Sequence, residues 1–265
     1  MNNLILSIIK TRSPGIVAAK IWLNNGSRED PKERKGIHQL LGSLLNRGCG
    51  PYSNIKLADL VEGCGASLRT ETFEDGILIS LKCSDRDSKI LIPIIGWMIK
   101  EPHLQQDHIN LEKHLSIQAL KRQRENPLFV AYDGWRKIAF GSGPYGHDPM
   151  GKEEDIKQIT RKELVSISKN LSMSPLHLVV IGSVSKELEI QIKELEPFEK
   201  FSLKNDKLSN NLEAEDLREN SKRNQKISLN EDDTEQVILM AGNSTISHGH
   251  CDDLKLRVLS NHLGS

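Results

Sequence analysis

Aromatic residues are scarce, at 4% of a 265-residue chain, so a core has to be built from Leu, Ile and Val. An excess charge of either sign is also missing, because Lys plus Arg and Asp plus Glu both number 36. That balance gives no electrostatic footprint for nucleic acid or an anionic membrane. The basic run Lys121-Arg122-Gln123-Arg124 is answered by Glu125 and reads as a solvated helix face. Crossing a bilayer takes about 20 consecutive apolar residues. The longest run here, 90–99, is shorter and contains Pro93, so no membrane role is expected. The four cysteines (Cys49, Cys64, Cys83 and Cys251) lack C-x-x-C spacing, which argues against a zinc ribbon or a disulfide framework. The first residues carry no basic stretch and no small-residue cleavage site. A reducing compartment, the cytoplasm, is the expected location. Neither a phosphate-binding P-loop nor a G-x-S-x-G nucleophile turn occurs.

What is present is a long alternation of strand and helix patterns. Residues 4–10 and 16–24 read as strands joined by a Ser-Pro-Gly turn. In 36–47 the apolar positions Ile37, Leu40, Leu41, Leu44 and Leu45 recur at amphipathic-helix spacing, and Gly48 follows as a stop. A short helix at 56–63 leads to strands at 67–73 and 76–83, with Glu74-Asp75 at the turn. Helices are expected at 87–100, 107–125, 128–140 and 153–170, with a Gly/Pro-rich loop between the last two. The near-continuous apolar run 176–184 reads as a buried strand, and a helix at 186–195 follows. Residues 199–224 are polar and read as an inter-domain linker. Beyond it, 226–230 and 236–242 read as strands and 252–263 as a helix, echoing the order at the start of the chain.

Residues 24–54 carry a recognisable series: Gly26-Ser27 at a strand end, Gly36-Ile37 entering a helix, then His38. Gly65-Ala66 before a strand, Arg124-Glu125-Asn126-Pro127, Pro144-Tyr145-Gly146 before Gly151, and Ile159-Thr160 before Leu164 follow in order. The chain thereby resembles the insulinase/pitrilysin family of zinc peptidases, in the branch that includes the mitochondrial processing peptidases. The resemblance implies an α+β fold, an insulinase-type antiparallel-rich sheet covered by helices. It also implies one full domain over 1–198, a linker over 199–224 and the incomplete start of a second domain over 225–265.

In that family a helix carries the inverted zinc motif H-x-x-E-H. A catalytic zinc needs three protein ligands and an open position for water, and the Glu serves as general base. Aligned on His38, the five positions read His38-Gln39-Leu40-Leu41-Gly42. One ligand is then kept, the base is replaced by Leu41 and the second ligand by Gly42. The family's distant Glu falls at Gln118 or Ala119, neither a carboxylate. His103, His108, Glu112 and His114 offer other ligand types nearby; His108 and Glu112 are one turn apart on the later helix, and they read as a solvated helix face. His38 itself reads as a partly buried structural histidine.

No cofactor is therefore expected, although the family uses zinc. The resemblance implies a non-catalytic subunit that pairs with an active zinc-bearing insulinase-family subunit. It also implies that extended peptides add as a strand along Gly65, Ala66, Ser67 and Leu68, a mode that needs only backbone. Two alternatives stay open: a truncated remnant with no present role, and an active metalloendopeptidase with altered ligands.

Overall fold

The computed structural model describes residues 3–12, 15–194, 198, 202–204, 237–242, 245–246 and 249–263. The chain divides into two compact units. The first comprises 1–125 and 147–208; the second comprises 126–146 and 209–265.

The first unit is built on a six-stranded sheet. Strands β1 (Asn3–Lys10) and β2 (Ile16–Leu23) precede a 3-10 turn at Ser27–Glu29 and helix α1 (Ile37–Leu44). A two-stranded ladder, β3 (Gly48–Cys49) with β4 (Tyr52–Ser53), leads into α2 (Asn54–Gly63). The hairpin β5 (Ser67–Thr72) and β6 (Ile77–Ser84) is followed by α3 (Ser88–Lys100) and α4 (Gln106–Arg124). Helix α5 (Pro127–Phe140) belongs to the second unit. Helices α6 (Glu153–Gln158) and α7 (Arg161–Met173), strand β7 (Leu176–Gly182), helix α8 (Lys186–Glu194) and strand β8 (Ser202–Lys204) return to the first.

The sheet order is β5-β6-β2-β7-β1-β8. The first two strands are therefore not a hairpin. β7, from far along the chain, lies between them, antiparallel to β2 and parallel to β1. The burial alternation explains how the sheet is covered. Val17, Ala19, Ile21 and Leu23 of β2 and Ile77, Ile79 and Leu81 of β6 are buried on one face. Helix α3 brings Leu91, Ile92, Ile94, Ile95, Met98 and Ile99 to this core, and α1 adds Ile37, Leu40, Leu41 and Leu44. The core is aliphatic, as the scarcity of aromatics requires.

Several expectations change. β7 alternates rather than being buried throughout: Leu176, Leu178 and Val180 face the core, while Val179 and Ile181 are exposed. The unbroken apolar run 178–181 hid this period of two. The expected helix 153–170 is two helices. Ile159 breaks the run, and Thr160 starts α7 with a reciprocal capping box to Glu163, which satisfies backbone donors that a continuous helix would have paired internally. β8 lies inside the segment read as linker and pairs parallel with the edge of β1. Most of 199–224 and the expected strand 226–230 lie outside the described residues. Residues 237–242 form no strand, and Val237 and Leu239 are exposed, because no described strand pairs with them.

In the second unit, Tyr132 stacks on Trp135 and Arg136 lies over the Tyr132 ring. α9 (Asp253–Leu263) forms where the helix 252–263 was expected. Its Leu254, Val258, Leu259 and Leu263 are all exposed. Among the described residues no helix is long and apolar enough to cross a membrane.

Candidate functional site

The site implied by the resemblance would lie where α1 faces the edge strand β5 and helix α4. The start of α1 is fixed by Asp30. Its Oδ2 accepts the Gly36 backbone N–H at 2.6 Å, and Oδ1 accepts the His38 N–H at 3.3 Å. The His38 Nδ1–H donates to the same Oδ1 at 2.6 Å, and His147 Nε2 lies 3.5 Å from Oδ2. Burial alone would push the Asp30 carboxyl up. Hydrogen bonds from His147 and His38, the charge of His38 and the Gly36 N–H outweigh that and hold it below the ordinary carboxylate range. Gly36 takes φ +95° and Gly151 φ +83°, and a Cβ on either would strike the other's segment. The 147–151 loop is thereby locked onto the entry of α1.

This network decides which face of α1 could carry chemistry. His38 is 3% exposed and is turned toward Asp30; Leu41 is 0% exposed, within the aliphatic core. Neither borders a space open to water. One residue along a helix is a rotation of about 100°, so the accessible stripe starts one position later. It carries Gln39 and Ser43, both half-buried and one turn apart. In the window that begins one residue later, Gln39-Leu40-Leu41-Gly42-Ser43, the two end positions are half-buried and the three between them are buried, whereas both ends of the window that begins at His38 are buried. The later window went unseen because the only histidine of the segment lies one residue earlier.

The flanks of the stripe are set by β5 and α4. On the β5 side, Asn46 Nδ2 donates to Thr70 Oγ1 at 3.1 Å. A Cβ at Gly42 would come within 2.3 Å of Thr72 Oγ1, so the Thr72 hydroxyl occupies the space that a side chain at 42 would need. On the α4 side, Arg47 Nε donates to Glu112 Oε1 at 2.7 Å, and Glu112 is 6% exposed. Ala119 is half-buried and Gln118 is exposed, its side-chain amide 3.0 Å from His114 Nε2. The remaining ligand types do not converge. Glu112 is held by Arg47, and His103 Nε2 lies 2.9 Å from the Gly50 carbonyl.

β5 is an edge of the sheet. Ser67 and Leu68 belong to it, but Gly65 and Ala66 do not. Gly65 sits at φ +59° and its N–H donates to Glu62 O; the Ala66 N–H donates to Val61 O. Both donors are used in closing α2, so a strand added at this edge has Ser67–Thr72 to pair with.

A model of the insulinase family (peptidase family M16) matches residues 7–148. The chain belongs to the insulinase family. This insulinase-family chain is 24% identical over 173 residues to the mitochondrial-processing peptidase subunit beta of Neurospora crassa, covering 65% of the chain and 36% of that protein. Against the subunit beta of Homo sapiens it is 24% identical over 168 residues, covering 63% of the chain and 34% of that protein. It therefore spans about a third of the length of these relatives. Among solved structures it resembles a protease from Helicobacter pylori, with TM-score 0.67 and 17% identity over 73% of the chain and 48% of that one. It also resembles a peptidase M16 inactive domain from Pseudomonas fluorescens, with TM-score 0.62 and 20% identity over 69% of the chain and 45% of that one. These likenesses establish the fold as that of insulinase-family peptidase domains, a sheet covered by helices.

One group of potential ligands had no part in the sequence reading. His250, Cys251 and Asp252 stand together just ahead of α9 in the second unit, and they are the metal-type cluster found among the described residues. Their adjacency in sequence was the available signal.

Proposed function

We propose that this insulinase-family chain is a non-catalytic subunit that pairs with an active zinc-bearing member of the family and helps to bind extended peptides. The observation that carries the reading is the composition of the accessible face of α1. Gln39 and Ser43 stand there, with buried Gly42 beside them, and Ala119 stands on α4. None offers an imidazole, thiolate or carboxylate. A catalytic zinc needs three such ligands and a base for its water. The residues present do not fit the metal, whichever of the two alignments is used, and no hydrolytic step is assigned to this chain. Peptide binding has different requirements. An edge strand recognises an extended peptide through its backbone, and Ser67–Thr72 keeps that edge while Thr70 bonds Asn46 just beyond α1 and Thr72 fills the space beside Gly42. Two further facts support the reading: the similar Pseudomonas fluorescens structure is described as an inactive domain, and the similar mitochondrial proteins are named as subunits.

The test is recovery of the tagged chain from its native cell, with mass spectrometry of what accompanies it. A family member with an intact H-x-x-E-H motif is the expected companion, and the purified chain alone should cleave no peptide. Recovery of chaperones and general proteases alone would favour a remnant without a role. About one tightly bound zinc per chain, lost on His38→Ala, would instead revive an active peptidase with altered ligands.

A further inference from the structure

We propose that the turn ahead of α9 is a surface site for a divalent transition metal of the zinc class, with His250 Nδ1, Cys251 Sγ and Asp252 Oδ2 as three of its ligands. The argument rests on the shape of the ligand set. Sγ lies 3.6 Å from Nδ1 and 3.8 Å from Oδ2, and Nδ1 lies 3.8 Å from Oδ2. The three atoms form a nearly equilateral triangle. With ordinary zinc–sulfur, zinc–nitrogen and zinc–oxygen bond lengths, the face of a tetrahedral site has edges of about 3.3–3.6 Å. Contraction by a few tenths of an ångström brings the three atoms onto such a face, with no change of backbone path.

The remaining contacts leave those atoms available. Lys255 Nζ pairs with Oδ1 of Asp252 at 2.6 Å and leaves Oδ2 to the metal. The Asp252 N–H donates to His250 Nδ1 at 3.2 Å, so Nδ1 carries a lone pair rather than a proton. Metal binding breaks that long hydrogen bond and the weak one that the Cys251 thiol donates to Asp252 Oδ2 at 3.8 Å. It also releases the Cys251 thiol proton to solvent as the sulfur–metal bond forms. Lys255 and the N-terminal end of α9 oppose a cation, while Asp253 at the first position of the helix favours one. His250 and Cys251 are exposed, so a fourth ligand position faces solvent. A sulfur, an imidazole nitrogen and one carboxylate oxygen select zinc, cobalt, nickel or copper over magnesium or calcium. This site is independent of the region around α1.

The experiment uses the full chain, purified untagged and stripped of metal, titrated with Co2+ and then with Zn2+. The expected result is a thiolate-to-cobalt charge-transfer band in the near ultraviolet that saturates at about one equivalent and is bleached by zinc. Cys251→Ser should remove the band, and Cys64→Ser should leave it. His250→Ala and Asp252→Asn should each weaken cobalt binding by about tenfold or more. Circular dichroism of each variant should be unchanged, because the substituted side chains are not in the core. Absence of the band, or a band that survives Cys251→Ser, overturns the proposal.

Discussion

Gly42 is the residue whose replacement tests the geometry of the α1 face most directly. A glycine inside a helix costs about 1 kcal/mol relative to alanine, so on helix propensity alone Gly42→Ala should stabilise the chain by that amount. The structure predicts the opposite sign. The new Cβ would lie 2.3 Å from Thr72 Oγ1, a separation at which something must move. Thr72 is β-branched and held in an edge strand, so it cannot retreat as a flexible chain end would. Overpacking of this kind costs about 1–3 kcal/mol, and the balance is a loss of roughly 0–2 kcal/mol. Removing the hydroxyl should uncover the propensity gain, because the next neighbours of a Cβ at 42 are Thr72 Cβ at 3.7 Å, which alanine keeps, and Ile77 Cγ2 at 4.0 Å, both ordinary contacts. In a Thr72→Ala background, Gly42→Ala should therefore be stabilising by up to about 1 kcal/mol, and the double-mutant cycle should give a coupling of about 1–3 kcal/mol. Urea unfolding of the four proteins, followed by tryptophan fluorescence, measures this; Trp22 lies beside Phe73 at the end of β5. If Gly42→Ala stabilises the chain by the full propensity value with Thr72 intact, α1 and β5 do not approach as described and the account of this face is wrong.

Asp30→Ala should cost about 3–5 kcal/mol, because it leaves buried donors on Gly36 and His38 without their acceptor; a loss below 1 kcal/mol would show that the network does not hold the entry of α1. The Asp30 carboxyl is held below its ordinary range, so its contribution is present above the unfolded value of about 3.9 and disappears as pH falls through the lower folded value. Asp30→Asn should flatten that segment of the acid-unfolding curve, and a curve that keeps its slope there counts against the linkage. Burial pushes the Cys49 thiol up to about 12 and the Cys83 thiol up to about 11. A thiol reagent at neutral pH should therefore label exposed Cys251 first, and Cys49 only on unfolding; equal rates would contradict the packing around Cys49. Thr160→Ala removes one half of the capping box and should cost about 1 kcal/mol, read as a shift in the urea midpoint.

Much of the fold was legible because local periodicity survives without tertiary context. The positions of β1, β2, α1, β5, β6 and α3 follow from apolar spacing and turn residues alone, and the ordered Gly-Ser, Gly-Ile and Pro-Tyr-Gly stretches carried the family. Order within the sheet was not legible. β7 enters between β1 and β2 from about 160 residues away, and no local pattern encodes that pairing. The break at Ile159-Thr160 was readable in principle from Thr160 and Glu163 at capping-box spacing, and the apolar pattern on either side masked it.

At the candidate site, the amino-acid sequence alone determined that neither window, beginning at His38 or at Gln39, holds the two imidazole ligands and the carboxylate base of the family motif, because the identities of those residues are enough to show it. The tertiary structure decided which of those side chains are covered. A shift of one residue turns a helix by about 100°, and only the burial of His38 against Asp30 and of Leu41 in the core shows that the open face belongs to Gln39 and Ser43. Asp30, six residues before Gly36 and eight before His38, fixes that rotation together with His147, Thr72 and Glu112, and these last three are too far away in the chain for any local pattern to specify.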